Sequence, residues 1–270
     1  MRVRGPCAAG SIPRAASAAA HDLSLFAAKR GAVAEDLLDG LRVQAAAVTP
    51  PAMPLRSCRP LPAILALALW FGAPAPWASD ALRMGQAAQR LGSRAVAALP
   101  ALQALLAHSA ALEEEAQLAA VNTFFNRRIV FAEDSEAWGQ ADYWASPLEA
   151  LALGRGDCED YAIAKYFSLV ALGMPVARLR MVYVRAQTGG SAQPHMVLAY
   201  YAQANSEPLI LDNLITEVRP ASRRPDLVPV FSFNSEGLWQ GAGQQSAGDP
   251  LARLSRWREV LAKARAEGFL

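Results

Sequence analysis

From residue 80 to residue 126 the chain is dominated by Ala, Leu and Gln, and Leu112, Ala116, Ala119, Ala120 and Phe124 recur at helical spacing. The pattern predicts an N-terminal helical layer over a core, with Pro100 separating two helices because proline lacks the N–H that the preceding turn needs. Residues 127–145 show no period and bring Trp138, Tyr143 and Trp144 close together. Ser146-Pro147-Leu148-Glu149 then sets serine at N-cap, proline at N1 and glutamate at N3, the start of a short helix that Gly154 stops. A further helix is predicted from Gly156-Asp157-Cys158 to about Leu172, with Asp157 capping it and Asp160 three residues on. Ile163, Phe167 and Val170 form its buried stripe, and Gly173 and Pro175 end it.

Beyond that point the period changes. Arg178–Val184, His195–Tyr201 and Pro208–Asp212 read as strands divided by loops rich in Gly, Ser, Asn and Gln. Residues 219–249 read mostly as loop, with scattered prolines. Pro250 to Gly268 reads as a last amphipathic helix with Leu251, Leu254, Trp257 and Leu261 inward. Helices first and an antiparallel sheet after them make an α+β arrangement.

The N-terminal part is different. Residues 61–72 form an uncharged apolar run preceded by Arg56 and Arg59 and followed by Pro74, Ala75, Pro76, Ala78 and Ser79. This is the layout of a secretory signal peptide, and the run is well short of the roughly 20 residues that span a bilayer. A signal peptide belongs at a true N-terminus, so translation is expected to start at Met53. Residues 1–52 would then be an untranslated or disordered leader, residues 53–79 the signal peptide, and residues 80–270 one exported domain, expected in the periplasm and not itself spanning the membrane.

That division changes the charge. Of the chain's 26 Lys and Arg, eight lie in residues 1–78, as do four of its 24 Asp and Glu, so the remainder carries 18 against 20, a net of −2. No nucleic-acid surface is expected from that balance. It also changes the cysteine count, because Cys7 and Cys58 fall in the part removed and Cys158 alone is kept. A lone cysteine in an exported chain is a small buried residue or a thiol kept for its reactivity.

Cys158 lies in the first turn of a predicted helix, where the partial positive charge of the helix end favours a thiolate. Asp157, Glu159 and Asp160 oppose this, since carboxylates disfavour a further anion, and a cation would neutralise them. His195 opens a strand downstream; after residue 79 the other histidine is His108, in the helical layer. Asp212 ends an apolar run, where a carboxylate needs a partner. A helix-start thiol followed by a strand histidine and a strand-end aspartate is the order of papain-type and transglutaminase-type nucleophilic enzymes. One objection stands. A symmetric turn about Asn205 pairs residue 195 with 215 and leaves Asp212 on the opposite face, so the partnership requires a bulge or an asymmetric turn.

Gly154-Arg155-Gly156-Asp157-Cys158-Glu159-Asp160-Tyr161-Ala162 resembles the signature of the bacterial transglutaminase-like cysteine proteinases, the LapG family. His195-Met196-Val197-Leu198, Leu211-Asp212-Asn213-Leu214 and the stretch from Arg224-Pro225-Asp226 to Asn234 extend the likeness over about residues 80–260. The resemblance implies a papain/transglutaminase-like fold with Cys158 as nucleophile, His195 as general base and Asp212 as its orienting partner. It also implies calcium on Asp157 and Glu159, with Asp160 a further ligand. The substrate it implies is the N-terminal region of a large surface adhesin, cut beside paired alanines with release of biofilm cells, under restraint by an inner-membrane cyclic di-GMP receptor. The Cys158 backbone N–H is one natural oxyanion donor, and Trp144 either supplies the second or packs against the core. A crosslinking acyl transferase and a non-catalytic calcium-stabilised binding protein are the rival functions.

Overall fold

In a computed structural model of the chain, residues 77–270 are described, with side chains from residue 80 onward. The leader expected over 1–52 and nearly all of the expected signal peptide lie outside the described residues. Helices α1 (Trp77–Leu91), α2 (Ser93–Ser109) and α3 (Glu114–Arg128) form the helical layer. The break between α1 and α2 falls at Gly92, whose φ of 105° suits glycine, and not at Pro100, which lies inside α2. The carbonyl that loses its donor to Pro100 belongs to Val96, which is 46% exposed and within reach of water. The stripe expected from Leu112 to Phe124 is also displaced. α3 buries Leu118, Val121, Asn122 and Phe125, while Ala116 and Ala119 are exposed. The larger side chains remove more apolar area from water than alanines can, and they set the helix rotation.

Strand β1 (Val130–Phe131) pairs in parallel with β2 (Arg155–Gly156), and the short helices α4 (Asp134–Ala137) and α5 (Pro147–Leu153) lie between them. α5 starts with the expected capping box between Ser146 and Glu149 and ends at Gly154 with φ 68°. Glu267, near the C-terminus, adds a second cap by accepting from the Ser146 hydroxyl and from Leu148 N. Helix α6 (Cys158–Ala171) begins immediately after β2, and every residue from Cys158 to Leu169 is buried. It packs against α3 and α5 on one side and against the sheet on the other. The expected stripe of Ile163 and Phe167 is part of this burial, but the helix is covered all round.

The sheet consists of β3 (Leu179–Thr188), β4 (Ser191–Tyr200), β5 (Leu209–Leu211), β6 (Arg219–Pro220), β7 (Leu227–Phe233), β8 (Leu238–Gln240) and β9 (Ser246–Gly248). Its order is β6-β5-β4-β3-β7-β8-β9, every pair antiparallel. The stretch 219–249 is therefore not mostly loop. Pro229 hides β7 in the sequence, and the structure accommodates it beside a register shift where Tyr183 opposes Phe231 and Val184 opposes Pro229. Alternate residues feed two clusters. Met181, Tyr183, Met196, Leu198, Leu211 and Phe233 join the main core with the helices, and Val182, Val184, Val197, Ala199 and Ile210 form a smaller one on the other face. The last helix is split at Leu254 into α7 (Pro250–Arg253) and α8 (Ser255–Ala266). Leu254, Trp257 and Leu261 are buried as expected, but Leu251 is 37% exposed. Trp257 ties α8 to the rest by stacking on Phe167 at 5.6 Å. Among the described residues no helix is long and apolar enough to cross a membrane.

Candidate active site

The β1–β2 ladder delivers the chain to the start of α6, so Cys158 sits where a short strand turns directly into the central helix. Its thiol is 4% exposed and makes no disulfide among the described residues. It lies 2.9 Å from Glu159 Oε2. Cys158 and His195 both line one cleft of about 520 Å³, whose walls include Phe131, Ala186, Pro194 and Leu214.

His195 Nε2 is 2.7 Å from Asp212 Oδ1. In the neutral ring this bond puts the proton on Nε2 and leaves Nδ1 as the acceptor. The register shows how the two residues come to share a face. β4 and β5 pair Leu198 with Leu211 and Tyr200 with Leu209, so Asp212 falls opposite Val197, two residues from His195. The turn is one residue off symmetry about Asn205, and the face objection disappears.

Asp212 is 1% exposed and accepts four hydrogen bonds. Asn213 N (2.7 Å) and Leu214 N (3.1 Å) join His195 on Oδ1, and Arg224 Nη2 donates to Oδ2 at 2.7 Å. Burial on its own would raise this carboxyl, but the bonds and charge of His195 and the Arg224 bond outweigh it and hold the group well below the usual carboxylate range. Arg224 is itself shared with Asp226. From α3, Asn126 Nδ2 donates to the Asp212 carbonyl at 2.7 Å and Asn122 Nδ2 to the Thr216 carbonyl at 2.8 Å, which fixes the loop after β5.

A second set of side chains lies beside the thiol. Asp157 occupies the N-cap position of α6, but its carboxylate makes no capping bond. It belongs instead to a buried acidic cluster in which Asp134, Asp157 and Asp160 lie with ligand oxygens within 4.8 Å of one another, as do Asp134, Asp142 and Glu159. Asp160 accepts from Ala145 N at 2.8 Å and from Trp138 Nε1 at 3.3 Å. Burial first, and then the charges of Asp157 and Asp134, push its carboxyl well above the usual range. Gly156 makes room for the cluster, since a Cβ there would meet Asp160 Oδ2 at 2.5 Å. Several buried oxygen donors with mutually repelling charges fit a hard divalent cation such as calcium.

The three residues expected for nucleophilic chemistry are thus brought together, and so are the three acids flanking the cysteine. Sequence reasoning missed Asp134 and Asp142, which lie in the stretch without a period, and Arg224, which showed only as part of a family likeness. Trp144 is 2% exposed and stacks on Phe233 at 5.9 Å, a packing position.

An antiparallel sheet carrying His195, packed on a buried helix that starts at Cys158, is the architecture of transglutaminase-like α+β enzymes. The chain belongs to the bacterial transglutaminase-like cysteine proteinases, whose family model matches residues 103–240. Among solved structures it is similar to Legionella pneumophila LapG. The EGTA-treated form of that protein is 38% identical over 68% of this chain and 97% of its own, with a TM-score of 0.60. The calcium-bound form is 38% identical over 68% of this chain and 98% of its own, with a TM-score of 0.59. No curated protein matches the chain.

Proposed function

We propose that the protein is a calcium-dependent periplasmic cysteine endopeptidase that cuts the N-terminal region of a large surface adhesin. The observation that carries the catalytic part is the cleft holding both Cys158 and a His195 locked to the buried Asp212. Cys158 attacks the peptide carbonyl, His195 takes the thiol proton through Nδ1 and later gives it to the leaving amine, and Asp212 holds the ring and favours its charged form. The Cys158 backbone N–H, at the positive end of α6, is placed to donate to the developing oxyanion. Calcium would be held by Asp157, Glu159 and Asp160, with Asp134 and Asp142 in the same cluster, and would supply the positive charge that these carboxylates lack beside a thiolate.

The family supports the substrate class, and Ala141 and Ala186 in the cleft walls leave room for small side chains such as paired alanines. Adhesin cutting would promote biofilm detachment. The regulating partner in this reading is an inner-membrane cyclic di-GMP receptor that sequesters the enzyme, and export would follow from the apolar run at residues 61–72.

The test mixes the protein with the N-terminal fragment of a large adhesin from the same genome, with and without a calcium chelator, beside Cys158→Ala. Cutting by the calcium-loaded wild type alone is expected. Cutting that survives the chelator overturns the calcium requirement, and no cutting in any lane overturns the adhesin assignment.

A further inference from the structure

Lys165 is 1% exposed and ranks among the largest fully buried side chains of the protein. It follows Cys158 by seven residues on α6, two helical turns, so the two share a face about 10 Å apart. The helix α6 packs on β4, the strand of His195. The Tyr161 ring lies 5.6 Å from its ammonium on the same helix, and the negative charge of Asp212 favours its charged form. Of the other charged groups, Asp157, Glu159 and Asp160 on α6 belong to the acidic cluster. Arg224 and Asp226 pair behind Asp212, and Glu149 of α5 binds Lys263. α3 presents the uncharged Asn122 and Asn126.

A buried cation is costly, and a hydrocarbon of the same length would fill its space without the desolvation penalty. The ion set that would be complete without it is Asp212, Arg224 and Asp226, into which the imidazolium of His195 enters during the reaction.

We propose that Lys165 is a positioning residue for catalysis: its buried charge offsets part of the Asp212 charge, so that the imidazolium of His195 releases its proton readily to the leaving amine. Without it the carboxylate would act on the ring in full, and an imidazolium held too tightly is a poor acid. Burial brings the Lys165 ammonium down to about 7, against the opposing pull of Asp212, so the charge is complete on the acid side of that value and is lost above it. The proposal rests on the catalytic roles assigned above.

The test compares wild type, Lys165→Met, Asp212→Asn and the double variant. The ring-nitrogen NMR signals of His195 are followed with pH, a readout that needs no substrate and so stands even if the adhesin assignment fails. Three histidines in the chain keep the signals few. The His195 titration should move up by about one pH unit in Lys165→Met, the size of effect a single neighbouring charge produces. The alkaline limb of kcat/KM should follow it, with kcat lower by roughly tenfold at about pH 6, where Lys165 is charged, and KM unchanged. Thermal stability should rise. In the Asp212→Asn background the Lys165→Met change should produce no further shift. Lys165→Gln serves as a second neutral variant if the methionine packs badly. Coincident titrations in wild type and both neutral variants overturn the proposal, as does an equal shift when Asp212 is already asparagine.

Discussion

Replacing Arg224 by Met tests how much of the site depends on a residue outside the reacting atoms. The Arg224 side chain is 1% exposed and its partner Asp212 is 0% exposed, whereas its second partner Asp226 is 32% exposed. The contact that matters is therefore the one to Asp212, and the one to Asp226 is discounted for solvent screening. Removing one member of a buried pair strands the other and costs about 3–5 kcal/mol, against about 0–1 kcal/mol for an exposed pair. Asp212 keeps its other three donors, so the lower end applies, about 3 kcal/mol. The sign of the pH dependence follows from the depressed Asp212 carboxyl. Its contribution is complete above the usual carboxylate range and is lost as pH falls through its folded value. Arg224→Met raises that folded value, so the deficit should be full at pH 7 and should narrow below about pH 4. Urea unfolding at the two pH values measures it. Arg224→Lys keeps the charge without the fork and should fall between wild type and Met. A loss under about 1 kcal/mol at pH 7 would refute the assignment of Arg224 as the support of Asp212.

Other outcomes follow from the same geometry. Gly156→Ala drives a Cβ onto the Asp160 carboxylate and should cost about 1–3 kcal/mol while weakening calcium affinity, read by calorimetry. Glu267→Gln acts in the opposite direction. Burial raises the Glu267 carboxyl from 4.5 to about 7, so the native protein loses stability as pH rises through that window. The glutamine variant should match wild type below that window and be more stable by roughly 2–3 kcal/mol at pH 8, measured by thermal unfolding. Saturating calcium should raise Tm in wild type, by the linkage of binding to folding, and chelator should reverse the rise. Asp157→Asn with Glu159→Gln should abolish the response; a Tm indifferent to calcium contradicts the cluster's role.

Local chemistry made much of this legible in the sequence. The Ser146–Glu149 capping box, the Gly154 stop and strands β3, β4 and β5 follow from signals only a few residues long, and so does the helix that begins at Cys158. What stayed hidden is non-local. Whether the α3 stripe runs through Ala116 or Leu118 is decided by what packs against it. The strands after residue 219 are short, and the longest contains Pro229, whose bulge exists only because β3 lies alongside. At the site, Cys158 and Asp212 stand out at element ends and His195 as a rare residue, although it lies mid-strand in β4 and does not open it, and the face Asp212 takes depends on a turn one residue off symmetry. Asp134, Asp142 and Arg224 are ordinary charges in irregular stretches, and Lys165 reads as one lysine on a helix. Only the fold reveals that all four are buried.

The central claim, a Cys158 thioester formed during peptide cleavage, is tested most directly by intact-mass spectrometry of the calcium-loaded protein quenched in acid during turnover of an adhesin fragment. The account predicts a transient adduct equal in mass to the N-terminal product less one water, located on the peptide that contains Cys158 and absent from Cys158→Ala. Cleavage without any adduct on that peptide, or with cutting retained in Cys158→Ala, would contradict it.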